Sequence, residues 1–94
     1  MKKVQYFRDA NLAFRIVRMV ISDNGATAES WDYKKKAWVP DGHAWDIIDD
    51  DWKNARLGNE EPVDYIALML KKNPKLAGIG IKADEKGAFR KADK

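Results

Sequence analysis

Residues 12–40 read LAFRIVRMVISDNGATAESWDYKKKAWVP, and the way this stretch pairs with itself decides the fold. Two β-favouring runs flank Asn24-Gly25, the residue pair that takes the positive φ angles of a type I′ turn at least cost. A two-residue turn there sets Ser22 opposite Thr27, Val20 opposite Glu29, Arg18 opposite Trp31 and Ile16 opposite Tyr33, all on one aromatic face. The alternate positions pair Ile21 with Ala28, Met19 with Ser30 and Val17 with Asp32, a face of smaller groups. The central run is interrupted only by Arg15 and Arg18, so both faces carry apolar side chains and both need cover.

Working outward, residues 4–8 form a first short strand ended by Asp9-Ala10-Asn11, whose Asp and Asn favour a turn. A second hairpin turn at 33–36 brings Trp31 opposite Trp38 and Asp32 opposite Ala37. Lys34, Lys35 and Lys36 keep its tip soluble and discourage edge association. From residue 44 the period changes: Trp45, Ile48, Trp52 and Ala55 recur at helical spacing, which predicts a helix within 44–57. The run Asp49-Asp50-Asp51, poor in helix propensity, leaves an alternative in which residues 45–48 are extended and one of those aspartates caps a shorter helix. Residues 59–62 supply cap and first-turn chemistry for a second helix carrying Val63, Ile66, Ala67 and Leu70, which ends at Asn73-Pro74. Residues 76–81 read as a weak strand, and a disordered basic tail is expected from about residue 83.

The expected architecture is a small α+β domain over residues 1–82. It is an antiparallel meander of three or four strands followed by one or two helices, with 83–94 as a flexible tail. Its predicted core is Phe14, Ile16, Val20, Trp31, Trp38, Trp45, Ile48, Trp52, Ile66 and Leu70. A chain of 94 residues, 45% hydrophobic and 35% charged, has room for one such core. Cysteine is absent, so no disulfide, thiolate metal site or cysteine nucleophile can be built. No run has the length of a signal peptide or a membrane span, which leads to the expectation of a cytoplasmic protein. The charge is blocky. Residues 1–40 hold eight Lys/Arg against four Asp/Glu, residues 41–64 two against eight, and residues 65–94 eight against three. Such blocks can join within one molecule or between two copies.

Three classes of function compete. The first is a non-enzymatic interaction module, in which Tyr6, Phe14, Arg15, Arg18, Trp31, Tyr33 and Trp38 present the sheet face to a partner protein or to a second copy as a homodimer. Its bland counterpart is that the helices after Ala44 and after Pro62 fill the two faces internally. The alternative is single-stranded nucleic-acid binding, with the same aromatics stacking bases and the arginines tracking phosphates. The third class rests on His43, Asp46 and Asp50, which fall on one helical face at i, i+3 and i+7 and offer a divalent ion one His and two carboxylates. Against it, His43 follows Pro40-Asp41-Gly42 in a loop, and aspartates here suit a solvated face or a cap. There is no HExxH, EF-hand, GxGxxG, P-loop or GxSxG motif. The sequence therefore leads to the interaction module, with no enzyme activity, metal or cofactor expected and no membrane as partner.

Overall fold

The 12–40 stretch does fold back on itself, in a register displaced by two residues from the expected one. In the computed structural model, which describes residues 2–50 and 54–92, β2 (Ile16–Ser22) and β3 (Gly25–Asp32) are antiparallel around a turn at Asp23 and Asn24. Ser22 pairs with Gly25, Val20 with Thr27 and Arg18 with Glu29. Because side chains alternate with period two, an even displacement keeps every residue on its expected face while changing its partner. Arg18 thus meets Glu29 rather than Trp31. The reason is long-range: Gly25 takes φ +151°, and a Cβ on it would lie 2.1 Å from the backbone oxygen of Arg90. Gly25 is reserved for that close approach, so it does not serve as the second turn residue.

Around this hairpin, β1 (Lys3–Asp9), β4 (Ala37–Pro40) and β5 (Asn54–Gly58) complete an antiparallel order β4-β3-β2-β1-β5. The expected facing pairs Trp31 with Trp38 and Asp32 with Ala37 are present. A sixth strand, β6 (Phe89–Lys91), pairs with Gly25, Ala26 and Thr27 of β3, along the half of that edge which four-residue β4 leaves open. The helices are α1 (Ala44–Ile48), α2 (Val63–Lys72) and α3 (Glu85–Ala88), with a 3-10 helix at Pro74–Gly78. The fold is α+β, with six strands and three α-helices among the described residues, more of both than expected.

Three sequence expectations are corrected. The helix sought within 44–57 stops at Ile48, and Ala55 lies in β5 beside β1; aspartates at 49 and 50 follow directly, where poor propensity ends the first helical run. Trp52 lies outside the described residues. Residues 76–81 add no strand. Leu76 is buried in the 3-10 helix, and 79–81 run extended along Asp32 and Lys34, with Lys34 N donating to Ile79 O and Ile81 N to Asp32 Oδ2. Where a disordered tail was expected, the chain docks as α3 and β6. Asp84 N donates to Pro40 O at 2.8 Å and Trp45 Nε1 to Ala88 O at 3.0 Å. The Arg90 guanidinium reaches Asp49 at 2.7 Å and lies 4.1 Å from the Trp45 ring centroid.

Two cores sandwich the sheet. On the small-residue face, Phe7, Val17 and Ala28 pack beneath Ala44, Trp45 and Ile47 of the α1 region. Ala28 and Ala44 are fully buried, and their small size lets the short helix approach the strands. On the aromatic face, Ile16 and Tyr33 pack beneath Ile66 and Met69 of α2 and Leu76, with Phe14, Trp31, Trp38 and Leu70 at the margin. Of the predicted core, Ile16, Trp45 and Ile66 are buried, while Phe14, Val20, Trp31, Trp38, Ile48 and Leu70 are half-buried. Each fully buried large apolar side chain contributes about 1.5–3 kcal/mol of transfer free energy. The charge blocks meet within the molecule: acidic 41–64 supplies Asp41 to Arg15 and Asp49 to Arg90. No helix among the described residues is long and apolar enough to cross a membrane.

Candidate functional site

The seven side chains expected to present one surface fall into two groups that touch where the Trp31 and Trp38 rings meet edge to face, centroids 5.2 Å apart, and α2 and the 3-10 helix pack over part of that face through Ile66, Met69 and Leu76. Tyr6, Arg18 and Trp38 form the first group. The Tyr6 and Trp38 rings are 5.5 Å apart, Arg18 Cζ sits 4.8 Å from the Trp38 centroid, and Arg18 Nε donates to Glu29 Oε1 at 2.5 Å. Trp38 Nε1 in turn donates to Glu61 Oε1 at 2.7 Å. Tyr6 is buried and the other two are half-buried. This group makes internal contacts: the cation is paired with Glu29, and the two rings meet at a tilt of 53°.

Phe14, Arg15, Trp31 and Tyr33 form the second group, and they line a cleft of about 460 Å³. Asp41, His43 and Asp46 from the β4–α1 connection line it as well, together with residues 79–82. The backbone explains the convergence. Arg15 stands at the mouth of β2, its amide donating to Leu12 O at 2.9 Å and its carbonyl accepting from Asp9 N at 3.0 Å. Asp41 continues the β4 register, its amide donating to Ala28 O, which turns its carboxylate onto the small-residue face. There Ser30 Oγ donates to Asp41 Oδ2 at 2.8 Å and His43 N to Asp41 Oδ1 at 3.0 Å. Arg15 Nη2 comes only to 3.9 Å of the same carboxylate, with its side chain about one-third exposed. The cleft thus holds a half-buried arginine that is loosely paired.

Its back wall is fixed by two buried groups. Asp32 accepts from Lys35 N at 2.7 Å and Ile81 N at 2.8 Å. Burial pushes its carboxyl pKa up, but the backbone N–H groups of Lys35, Ile81 and Lys34 outweigh that, and it lies below the ordinary Asp value. Tyr33 donates its hydroxyl to Phe14 O. Burial, with a smaller contribution from Tyr65, raises its pKa to about 12, so the phenol stays protonated and keeps donating. Trp31 Nε1 is buried without an acceptor among the described residues.

Of the candidate metal set, His43 and Asp46 reach the cleft, while Asp50 is not among its lining residues. Helix α1 ends before Asp50, so the i, i+7 spacing does not carry over into a shared helical face. Among the described residues, no three His, Cys, Asp or Glu side chains are placed to share a metal ion. Sequence reasoning did not place Asp41 or residues 79–82 in a site. The apolar alternation of Ile79 and Ile81 between glycines was visible, but nothing local says that this segment crosses to Asp32. Comparison with family models, curated proteins and solved structures gives no match for this chain.

Proposed function

We propose that this protein is a non-enzymatic interaction module that docks a partner protein in the cleft between the mouth of β2, the β4–α1 connection and residues 79–82. The observation that carries the reading is Arg15. An arginine side chain about one-third exposed, its guanidinium coming no nearer than 3.9 Å to the Asp41 carboxylate, stands among the apolar walls of Phe14, Ile79 and Ile81. Recognition sites combine such walls with a few placed polar groups, and a cleft of about 460 Å³ has the usual size. Ile79, 40% exposed, offers apolar surface at the rim.

The test is selection of peptides from a random displayed library against the intact chain, followed by binding measurements on Ile79→Arg. Enriched peptides are expected to bind the parent and lose most of their affinity for the variant, whose melting temperature stays close to the parent's because Ile79 lies outside both cores. Peptides that bind both chains equally would refute the cleft as the docking site. Light scattering across concentration and salt tells whether a second copy is itself the occupant, since a dimer in the cleft would be dissociated by the same Ile79→Arg change.

A further inference from the structure

We infer that the cleft captures the free carboxylate end of a partner polypeptide whose last residue is apolar. This rests on the reading of the cleft as a partner-docking site and specifies what docks there. The Arg15 guanidinium has five N–H donors in a planar fork, a shape that matches a carboxylate in bidentate fashion. Its acidic neighbour does not use them up. Asp41 is already served by the Ser30 hydroxyl at 2.8 Å and the His43 amide at 3.0 Å, and Arg15 stays 3.9 Å away. The backbone on both sides of Arg15 is hydrogen-bonded, which fixes the point from which its side chain enters the cleft.

A chain end also needs backbone partners and an apolar seat. Residues 79–82 are pinned by Lys34 N to Ile79 O and by Ile81 N to Asp32 Oδ2, whereas the amides of Gly80 and Lys82 donate to no described residue. Free amides on a fixed segment are the groups that terminal carboxylates exploit. Ile79, Ile81 and Phe14 supply apolar wall for the final side chain, and Lys82 adds a second positive charge. Asp41 and Asp46 at the same cleft offset the charges of Arg15 and Lys82 and so set an upper limit on negative charge, which favours a monoanion held in the Arg15 fork over a phosphate dianion.

The probes are N-acetyl-leucine, N-acetyl-leucinamide, inorganic phosphate and an acetylated pentapeptide ending in leucine with a free carboxylate, titrated into the ¹⁵N-labelled chain. N-acetyl-leucine is expected to shift the amides of Gly80, Ile81 and Lys82 and the Arg15 Nε–H, and to bind at least about tenfold more tightly than the amide, the difference a charged hydrogen-bond pair supplies. Arg15→Gln should bring the acid's affinity down to that of the amide while lowering the amide's own much less, a selective loss that a fold defect would not produce. Phosphate should bind more weakly than the acid, and the pentapeptide more tightly than the single residue. Equal binding of acid and amide, shifts mapping elsewhere, no shifts at all, or an acid preference retained by Arg15→Gln would overturn the inference. Tighter phosphate would do the same, and equal affinity of single residue and pentapeptide would assign the cleft to a small carboxylate instead. If the selected peptides still depend on Ile79 while these outcomes fail, the docking site stands and only its ligand chemistry falls.

Discussion

Replacing Gly25 by alanine isolates the contribution of the C-terminal strand. The new methyl carbon would sit 2.1 Å from the Arg90 carbonyl oxygen and 3.0 Å from Lys91 Cα, both backbone atoms that cannot swing aside as a side chain would. The residue also holds φ +151°, where an L side chain is strained by about 1 kcal/mol. Strand β6 must therefore leave β3. What is lost is its ladder with Gly25, Ala26 and Thr27, the Arg90 contact with the Trp45 ring, and the Arg90–Asp49 pair. The ion pair is half-exposed at both ends and counts for little after solvent screening. The ring contact contributes about 0.5–1 kcal/mol and each net hydrogen bond about 1. A destabilisation of about 2–4 kcal/mol follows, or a fall of about 10–20 °C in melting temperature for a domain of this size. Urea melts give the energy, and amide hydrogen exchange shows where it acts: residues 89–91 should lose protection while β1 and β2 keep theirs. Gly78, whose added Cβ meets nothing within 4 Å, is the control, and its alanine variant should be close to neutral. Parental protection at 89–91 in Gly25→Ala, with an unchanged urea midpoint, would refute the reasoning.

Other perturbations bear on the two faces and the cleft. Arg18→Glu puts a carboxylate against Glu29 in place of a 2.5 Å hydrogen bond and removes the cation from Trp38, and should lower stability by about 1–3 kcal/mol without unfolding the chain. In an alkaline absorbance titration, one of the three tyrosines should ionise near pH 12, and Tyr33→Phe should abolish that phase. Its folded pKa lies above the unfolded value near 10, so the unfolded chain ionises first, and stability should fall as pH rises from about 10 to 12. Asp32 has the opposite sense. Its folded pKa is depressed, so its contribution is present above the unfolded value near 4 and disappears as pH falls through the folded one; Asp32→Asn should be less stable at neutral pH and flatten the acid limb of urea midpoints.

The local pattern was legible where contacts are local. Residues 4–8, the 12–40 hairpin, the Trp31–Trp38 pair and the helix ending at Asn73-Pro74 follow from alternation, turn residues and breakers. The hairpin register was not, because the residue that fixes it, Arg90, lies sixty-five positions from Gly25 along the chain. A helix does lie within 44–57, but its length was not legible for a related reason: the helical spacing continues to Ala55, and Ala55 answers to β1 rather than to Trp45. The same holds for 83–94, whose charge resembles disorder while Arg90 and the Ala88 carbonyl are matched to Asp49 and Trp45. Of the cleft, the sequence singled out Arg15, Phe14, Trp31 and Tyr33 as a surface. It had no means of showing that Tyr6, Arg18 and Trp38 would be engaged with one another and with Glu29 and Glu61, since that depends on strand register and on where the chain returns at Glu61.

The shared edge of β3 also orders events in time. The β1–β2 and β2–β3 hairpins close loops of a few residues and can form early, whereas β6 must return across more than sixty residues to reach Gly25, Ala26 and Thr27. Closing so long a loop carries a larger entropic cost and slows the pairing. In every newly made or refolding chain, the half of β3 beyond β4 therefore waits with its amides and carbonyls unpaired, an edge to which a neighbouring molecule's strand can add. The last residues to dock are the ones that end this interval, so refolding yield should fall with protein concentration more steeply in Gly25→Ala than in the parent.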